Sequence, residues 1–181
     1  GVKAEEGYDV YDEGLKNDYF VKKPTGKIFY ADVWPGKSAF PDFLNSAVQS
    51  WWASLQKRMI DLGVSGIWND MNEPATFNTP GKTASIDAVH DMDGKKIDHA
   101  LVHNLYGMLE NKATYEGLKS AKPDDRPFIL SRSMYAGGQK YAAVWMGDNT
   151  SNEEHLKLSI PTCLNLGLSG FSFSGMDIGG F

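Results

Sequence analysis

Residues 65–77 read SGIWNDMNEPATF, and a step inside that stretch decides the fold. An apolar segment, Val64 to Trp68, runs straight into Asn69, Asp70, Met71, Asn72, Glu73 and Pro74. Polar groups at the exit of a buried strand form either a turn or a site. An isolated acid there usually caps a helix or closes a turn, so the rest of the chain must show whether this exit stands alone.

It does not. RPFILSR, residues 126–132, is a second apolar run with a charge at its end, Arg132. KYAAVWMGDN, residues 140–149, ends in Gly147, Asp148 and Asn149, and LSGFSFSGMDIGGF, residues 168–181, carries Asp177 at its exit. Helical spacing separates these runs. Val48, Trp51, Trp52, Leu55, Met59 and Leu62 form one stripe, and Gly63 follows as a stop signal. Asp98 is placed to cap a helix with the stripe Leu101, Leu105, Met108 and Leu109; Leu156, Ile160 and Leu164 mark another, with Gly167 near its end. The order is a helix, then β, α, β, β, α, β. Short apolar strands alternating with amphipathic helices predict an α/β fold, a parallel sheet covered by helices.

Asp70, Arg132, Asp148 and Asp177 all fall at C-terminal strand ends. In a (β/α)8 TIM-type barrel those ends converge on one mouth; in an open doubly wound sheet they line a crevice. No Gly-rich phosphate loop follows any strand, which argues against nucleotide binding. A closed barrel takes about 250 residues. The four strands, with a fifth expected at Ile28–Trp34, predict that residues 1–181 are the central portion of such a barrel, incomplete as an isolated chain and lacking the first strands and the last.

Outside the strands, residues 1–44 read as loop-rich, with a turn at Pro24–Gly26. DMDGKKID, residues 91–98, begins like a calcium loop but has Val102 where such a loop needs glutamate, and reads as a solvated turn. The net charge of −5, with no Lys/Arg run, gives no footprint for nucleic acid or an anionic membrane. No apolar run approaches the roughly 20 residues that span a bilayer. The start shows no signal-peptide pattern and there is one cysteine, which leaves the compartment open with a slight lean to the cytoplasm. Cys163, in SIPTCLNLGL, reads as a small buried hydrophobe. Five tryptophans suit core packing and also the flat face of a sugar.

Asp70 and Asp148, on different strand exits, supply what cleavage of an acetal needs. One carboxyl protonates the leaving oxygen; the other attacks the anomeric carbon or activates a water. The sequence does not give their separation, so retention and inversion are both open on chemistry alone.

The motifs themselves go further. GIWNDMNEP resembles the signature of glycoside hydrolase family 31, the retaining α-glucosidases and α-xylosidases. That resemblance implies a nucleophile at Asp70. WMGDN resembles the family's second signature and implies a general acid/base at Asp148; LSRS implies a sugar-binding Arg132, GMDIGGF a hydroxyl-holding Asp177, and VWPG a sugar-contacting Trp34. Trp68, Met71 and Trp145, within these motifs, are expected as further sugar contacts. The resemblance runs through essentially the whole chain in the family's order. It implies release of glucose from α-glucosides by double displacement; on physical grounds Arg132 is the natural counter-charge to an ionised Asp70, and Trp145 and Met146 are the apolar neighbours expected beside a protonated Asp148. No metal or other cofactor is implied. The expected partners are a sugar substrate and the rest of the parent catalytic domain. The alternatives are an α-xylosidase or transglycosylase of the same family, or a non-catalytic carbohydrate-binding or inactive piece. Glu73 is expected to support its loop, Trp51 and Trp52 to pack in a core or interface, and His103 to face the sheet.

Overall fold

A computed structural model describes residues 1–181. In chain order the elements are β1 (Val2–Lys3), α1 (Asp9–Lys16), β2 (Tyr30–Val33), β3 (Gly36–Ala39), α2 (Ser46–Asp61), β4 (Ile67–Asn69), β5 (Val89–Met92), β6 (Lys95–Asp98), α3 (His99–Ala121), β7 (Ile129–Ser131), β8 (Ala143–Trp145), α4 (Glu153–Leu168) and β9 (Ser174–Gly175). β4, β7, β8 and β9 form a parallel sheet in that order. α3 crosses from β4 to β7 and α4 from β8 to β9, as the alternating periodicity required. The end strands β4 and β9 do not pair with each other, so the sheet is an open arc rather than a closed barrel.

The expected fifth barrel strand is not in that arc. β2 pairs antiparallel with β3, which pairs with β1, in a separate sheet. Residues 1–44 are therefore more ordered than their loop-like composition suggests. The turn at Pro24–Gly26 does form, closed by a bridge between Lys22 and Ile28. This sheet, α1 and α2 enclose a core of 16 buried residues, with Phe20, Phe29, Phe40, Phe43 and Trp51 among its large members.

α2 starts just ahead of its apolar stripe, where the Asn45 side chain accepts from Ala47 N at 2.9 Å as an N-cap. It ends at a left-handed Gly63. α2 and α3 touch backbone to backbone at Gly117, where an added Cβ would lie 2.3 Å from the Ala53 carbonyl oxygen. The buried stripe of α3 is not the expected one. Val102, Tyr106, Ala113 and Leu118 face inward, while Leu101 faces solvent. Asp98 occupies the cap position of α3 but makes no side-chain cap bond.

DMDGKKID does hold a solvated turn, at Asp93–Gly94, but as the tip of a β5–β6 hairpin whose second strand it also supplies. Asp93 and Gly94 both have positive φ, the geometry of a tight two-residue hairpin turn. Two long-range anchors dock the hairpin. Asp93 Oδ1 accepts from Ser46 N and Oγ, each at 2.9 Å, at the first residue of α2. Those bonds hold its carboxyl below the usual range. The second anchor is a buried chain: Asp42 Oδ1 meets His90 Nδ1 at 2.7 Å, and His90 Nε2 meets His99 Nδ1 at 2.8 Å. With the carboxylate accepting from His90, the donors run one way along the chain. His99 Nε2 is then left as a buried nitrogen without a partner. The His103 ring lies edge-on to His99 at 5.0 Å.

α4 differs from the other long helices. Leu156, Leu158, Ile160, Leu164 and Leu168 are all exposed, and Cys163 is half-buried rather than buried. No helix is long and apolar enough to cross a membrane.

Candidate active site

The exits of β4, β7 and β8 meet around one guanidinium. Arg132, just past β7, donates from Nε to Glu73 Oε1 at 2.9 Å and from Nη2 to Glu73 Oε2 at 3.2 Å. Its Nη1 lies 3.3 Å from Asp70 Oδ1 and 3.5 Å from Asp148 Oδ2. Glu73 above all, then Asp70 and Asp148, hold this guanidinium even more firmly protonated than a free arginine. The planar fork suits the task, because it binds one carboxylate bidentately and still presents a nitrogen to two others.

Local backbone geometry supports the cluster. Asp70 Oδ1 accepts from Met71 N at 2.8 Å, and Met71 turns left-handed with φ 56°, folding the chain back over the strand end. Gly147 has φ 80° and no side chain, and an added Cβ there would lie 3.2 Å from Arg132 Cδ. Asp148 shares its surroundings with Trp145 but is open to solvent, its side chain 62% exposed.

Beside Asp148 lies a cleft of about 320 Å3, lined among others by Trp68, Trp145, Asp177, Phe173 and Phe181. Trp68 and Trp145 meet edge to face at 5.5 Å. A larger groove, about 840 Å3, runs between the N-terminal segment and α2, and none of the four charged strand-exit residues lines it. Asp70, Arg132 and Asp148 are thus brought together, and Trp68, Trp145, Asp148 and Asp177 share one cleft. Trp34 and Met71 are not on its lining. Trp34 is 82% exposed and packs edge-on against Phe77 at 5.0 Å. The strand before it, β2, is tied to the loop after β4 by Phe77 N donating to Asp32 O at 2.8 Å. Met71 packs against the N-terminal core.

Glu73 does support the loop, as expected, through Arg132. What sequence reasoning missed is the purpose of the two amides in NDMNE. Asn69 and Asn72 are buried, Asn69 bonding to α3 and Asn72 to the end of β7. Asn69 Nδ2 donates to Asn111 Oδ1 at 2.8 Å and to Thr114 Oγ1 at 3.2 Å. Asn72 Nδ2 donates to Ser131 Oγ at 2.9 Å, and Asn72 Oδ1 accepts from Ser133 N at 3.1 Å. The only signal available beforehand was the alternation itself, amide then acid, at a strand exit. The structure contains no group of three or more His, Cys, Asp or Glu side chains able to hold a metal ion.

A family model described as the glycosyl hydrolases family 31 TIM-barrel domain matches residues 1–181. Alpha-glucosidase 2 of Bacillus thermoamyloliquefaciens is 50% identical over 181 residues, which is all of this chain and 23% of that protein. The crystal structure of a family 31 alpha-glucosidase from Bacteroides thetaiotaomicron superposes with a TM-score of 0.84 at 48% identity, over 100% of this chain and 28% of that one. The glucosidase II alpha subunit, in an alpha3-Glc2-bound form, superposes with a TM-score of 0.90 at 43% identity, over 99% of this chain and 20% of that one. The chain therefore spans well under a third of the length of each of these relatives.

Proposed function

The chain belongs to glycoside hydrolase family 31, and from that membership we propose that it is the central part of a catalytic barrel that hydrolyses α-glucosides with net retention. The remaining strands would come from the rest of the full-length protein. The observation that carries the retaining reading is the shared guanidinium. Asp70 and Asp148 oxygens each lie within 3.5 Å of Arg132 Nη1, so they are no further apart than twice that, about 7 Å. Retaining enzymes hold their carboxyl groups about 5–5.5 Å apart and inverting enzymes about 6.5–9.5 Å. For the two oxygens that face the guanidinium, that limit takes in the whole retaining range and reaches only the lower edge of the inverting one.

In the proposed cycle Asp148 gives its proton to the glycosidic oxygen as the C1–O bond breaks. Asp70 attacks C1 from the other face and forms a glycosyl ester. The aglycone leaves as a neutral alcohol. Asp148, now a carboxylate, takes a proton from water as that water attacks C1, and Asp70 leaves as carboxylate with the original anomeric configuration restored. Arg132 stays charged throughout and keeps Glu73 and Asp70 in place. Trp68 and Trp145 would wall the sugar, and Asp177 would accept from its hydroxyls. Glucose is preferred over xylose as the released sugar because the relatives described above are named alpha-glucosidases.

The test is covalent trapping in the full-length protein. Incubation with a fluorinated α-glucosyl fluoride, digestion and mass spectrometry should place a glycosyl mass on the peptide holding Asp70. An unlabelled enzyme that still turns over α-glucosides would remove Asp70 from the nucleophile's role. Absence of both label and turnover would favour a binding protein instead.

A further inference from the structure

Asp70, Glu73 and Arg132 each follow a buried polar residue in the sequence: Asn69, Asn72 and Ser131. Asn69 and Ser131 bond directly to α3, and Asn72 reaches it through Ser131. Asn111, fully buried there, uses its amide in both senses. Its Oδ1 accepts from Asn69 at 2.8 Å, and its Nδ2 donates to Ser131 Oγ at 2.8 Å and to the Ser133 carbonyl at 3.1 Å. One side chain therefore reads the exit of β4 with its oxygen and the exit of β7 with its nitrogen. Ser131 Oγ also accepts from Asn72 at 2.9 Å and donates to Ser133 O at 2.9 Å. The backbone does less at this level. The bond linking the two exits there, Arg132 N to Asn69 O, is long at 3.3 Å. α3 is pressed against the same loops, since an added Cβ on Gly107 would lie 2.6 Å from Asn72 O.

We propose that Asn111 is a positioning residue that fixes Asp70 and Arg132 relative to each other by hydrogen-bonding the residue before each. The inference rests on the reading of Asp70 as nucleophile. A buried, fully paired amide would serve stability in any case. Asn111 differs from an ordinary satisfied core amide because its partners lie one residue from the reacting carboxylate and its counter-charge, on two different strands. A misplacement of about 1 Å at such a site costs about a hundredfold in rate.

The test uses the full-length protein, with Asn111→Ala as the main variant and Ser131→Ala as a second that removes less volume. Val48→Ala, in the N-terminal core, is the control for lost stability alone. The readouts are kcat and KM for an α-glucoside and the rate of covalent labelling by the fluorinated glucosyl fluoride, each per folded molecule, with melting temperature measured alongside. Asn111→Ala should lower kcat and the labelling rate by about a hundredfold with KM within about threefold. Val48→Ala should lower the melting temperature with kcat and labelling within twofold. If Asn111→Ala does not fold, Ser131→Ala carries the test and should lose at least about tenfold in labelling. A folded Asn111→Ala or, failing that, Ser131→Ala that labels within threefold of wild type overturns the positioning role. Wild-type protein that turns over α-glucosides without label on Asp70 instead overturns the assignment of the nucleophile, so the two failures are distinct.

Discussion

The two sides of the molecule bury their apolar surface in opposite ways. On one side, β1–β3, α1, α2 and the start of α3 close on themselves, with Phe40 and Phe43 almost wholly buried among their neighbours. On the other, α4 turns a row of leucines outward beside β8 and β9. The proposed site lies where the two meet. Asp70, Glu73 and Arg132 sit over the packed α3 side, while Asp148 and Asp177 come from the open side. The Asp70 end of the site is therefore backed by the buried amides on α3, whereas the Asp148 end rests on fewer, less buried bonds such as Asn149 Nδ2 to Asp177 O at 3.3 Å. That difference accounts for the exposure of Asp148 beside the better-enclosed Arg132.

The largest expected effect separates chemistry from packing. Asp70→Asn in the full-length protein should lower kcat on α-glucosides by about four orders of magnitude or more, with melting unchanged to within about 2 °C. A large loss of melting temperature would mean that Asp70 belongs to the packed side rather than to the chemistry. Next, Phe43→Ala should cost about 3–5 kcal/mol in denaturant unfolding, the price of emptying an aromatic site in a closed core. A cost near zero would show that this region is not the self-sufficient half.

The histidine chain gives a smaller effect with a defined sign. Burial first, then the imidazoles of His90 and His103, push His99 down to about 4. The unfolded chain takes up that proton near pH 6.5 and the folded one does not. The contribution is complete above about pH 6.5 and is lost progressively as the pH falls toward 4. Wild type should thus lose more melting temperature between pH 7 and 5 than His99→Gln does. Equal losses would remove His99 from the pH dependence. The smallest effect belongs to the open side: in residues 1–181 alone, Leu164→Ser should change stability by no more than about 0.5 kcal/mol while reducing binding of an apolar dye. A cost of several kcal/mol would mean that α4 is covered after all.

The parallel sheet, its covering helices and the charged strand exits were legible because periodicity and position are local properties of the chain. Val48 and Trp51 sat on the expected stripe, and Asn45 and Gly63 bounded α2 as their residue types suggest. β2 and the turn at Pro24–Gly26 were legible, but the pairing of β2 in a separate antiparallel sheet and the β5–β6 hairpin were not. β6 carries Lys95, Lys96 and Asp98 in four residues and buries none of them, so it shows no strand-like alternation. Its hairpin is secured by Asp42 and Ser46, nearly fifty positions away. α1 has no side-chain cap and a glycine in its middle; Gly14 is there because an added Cβ would collide with the Phe20 ring at 2.4 Å. The amide network was hidden for the same reason, since its partners lie 20 to 61 residues apart. In each case the information sat in pairs of distant residues, which no single window displays.

The alternation at the strand exits also constrains how this mouth can change over time. Asn69 precedes Asp70 and Ser131 precedes Arg132, so scaffold and chemistry are interleaved at single-residue spacing. Inserting or deleting one residue between Ile67 and Asp70 would turn the amide toward the mouth and the carboxylate toward α3. Both jobs would fail in one step. Substitution in place leaves that alternation intact, as does a change of length in the loops beyond Pro74 and Met134.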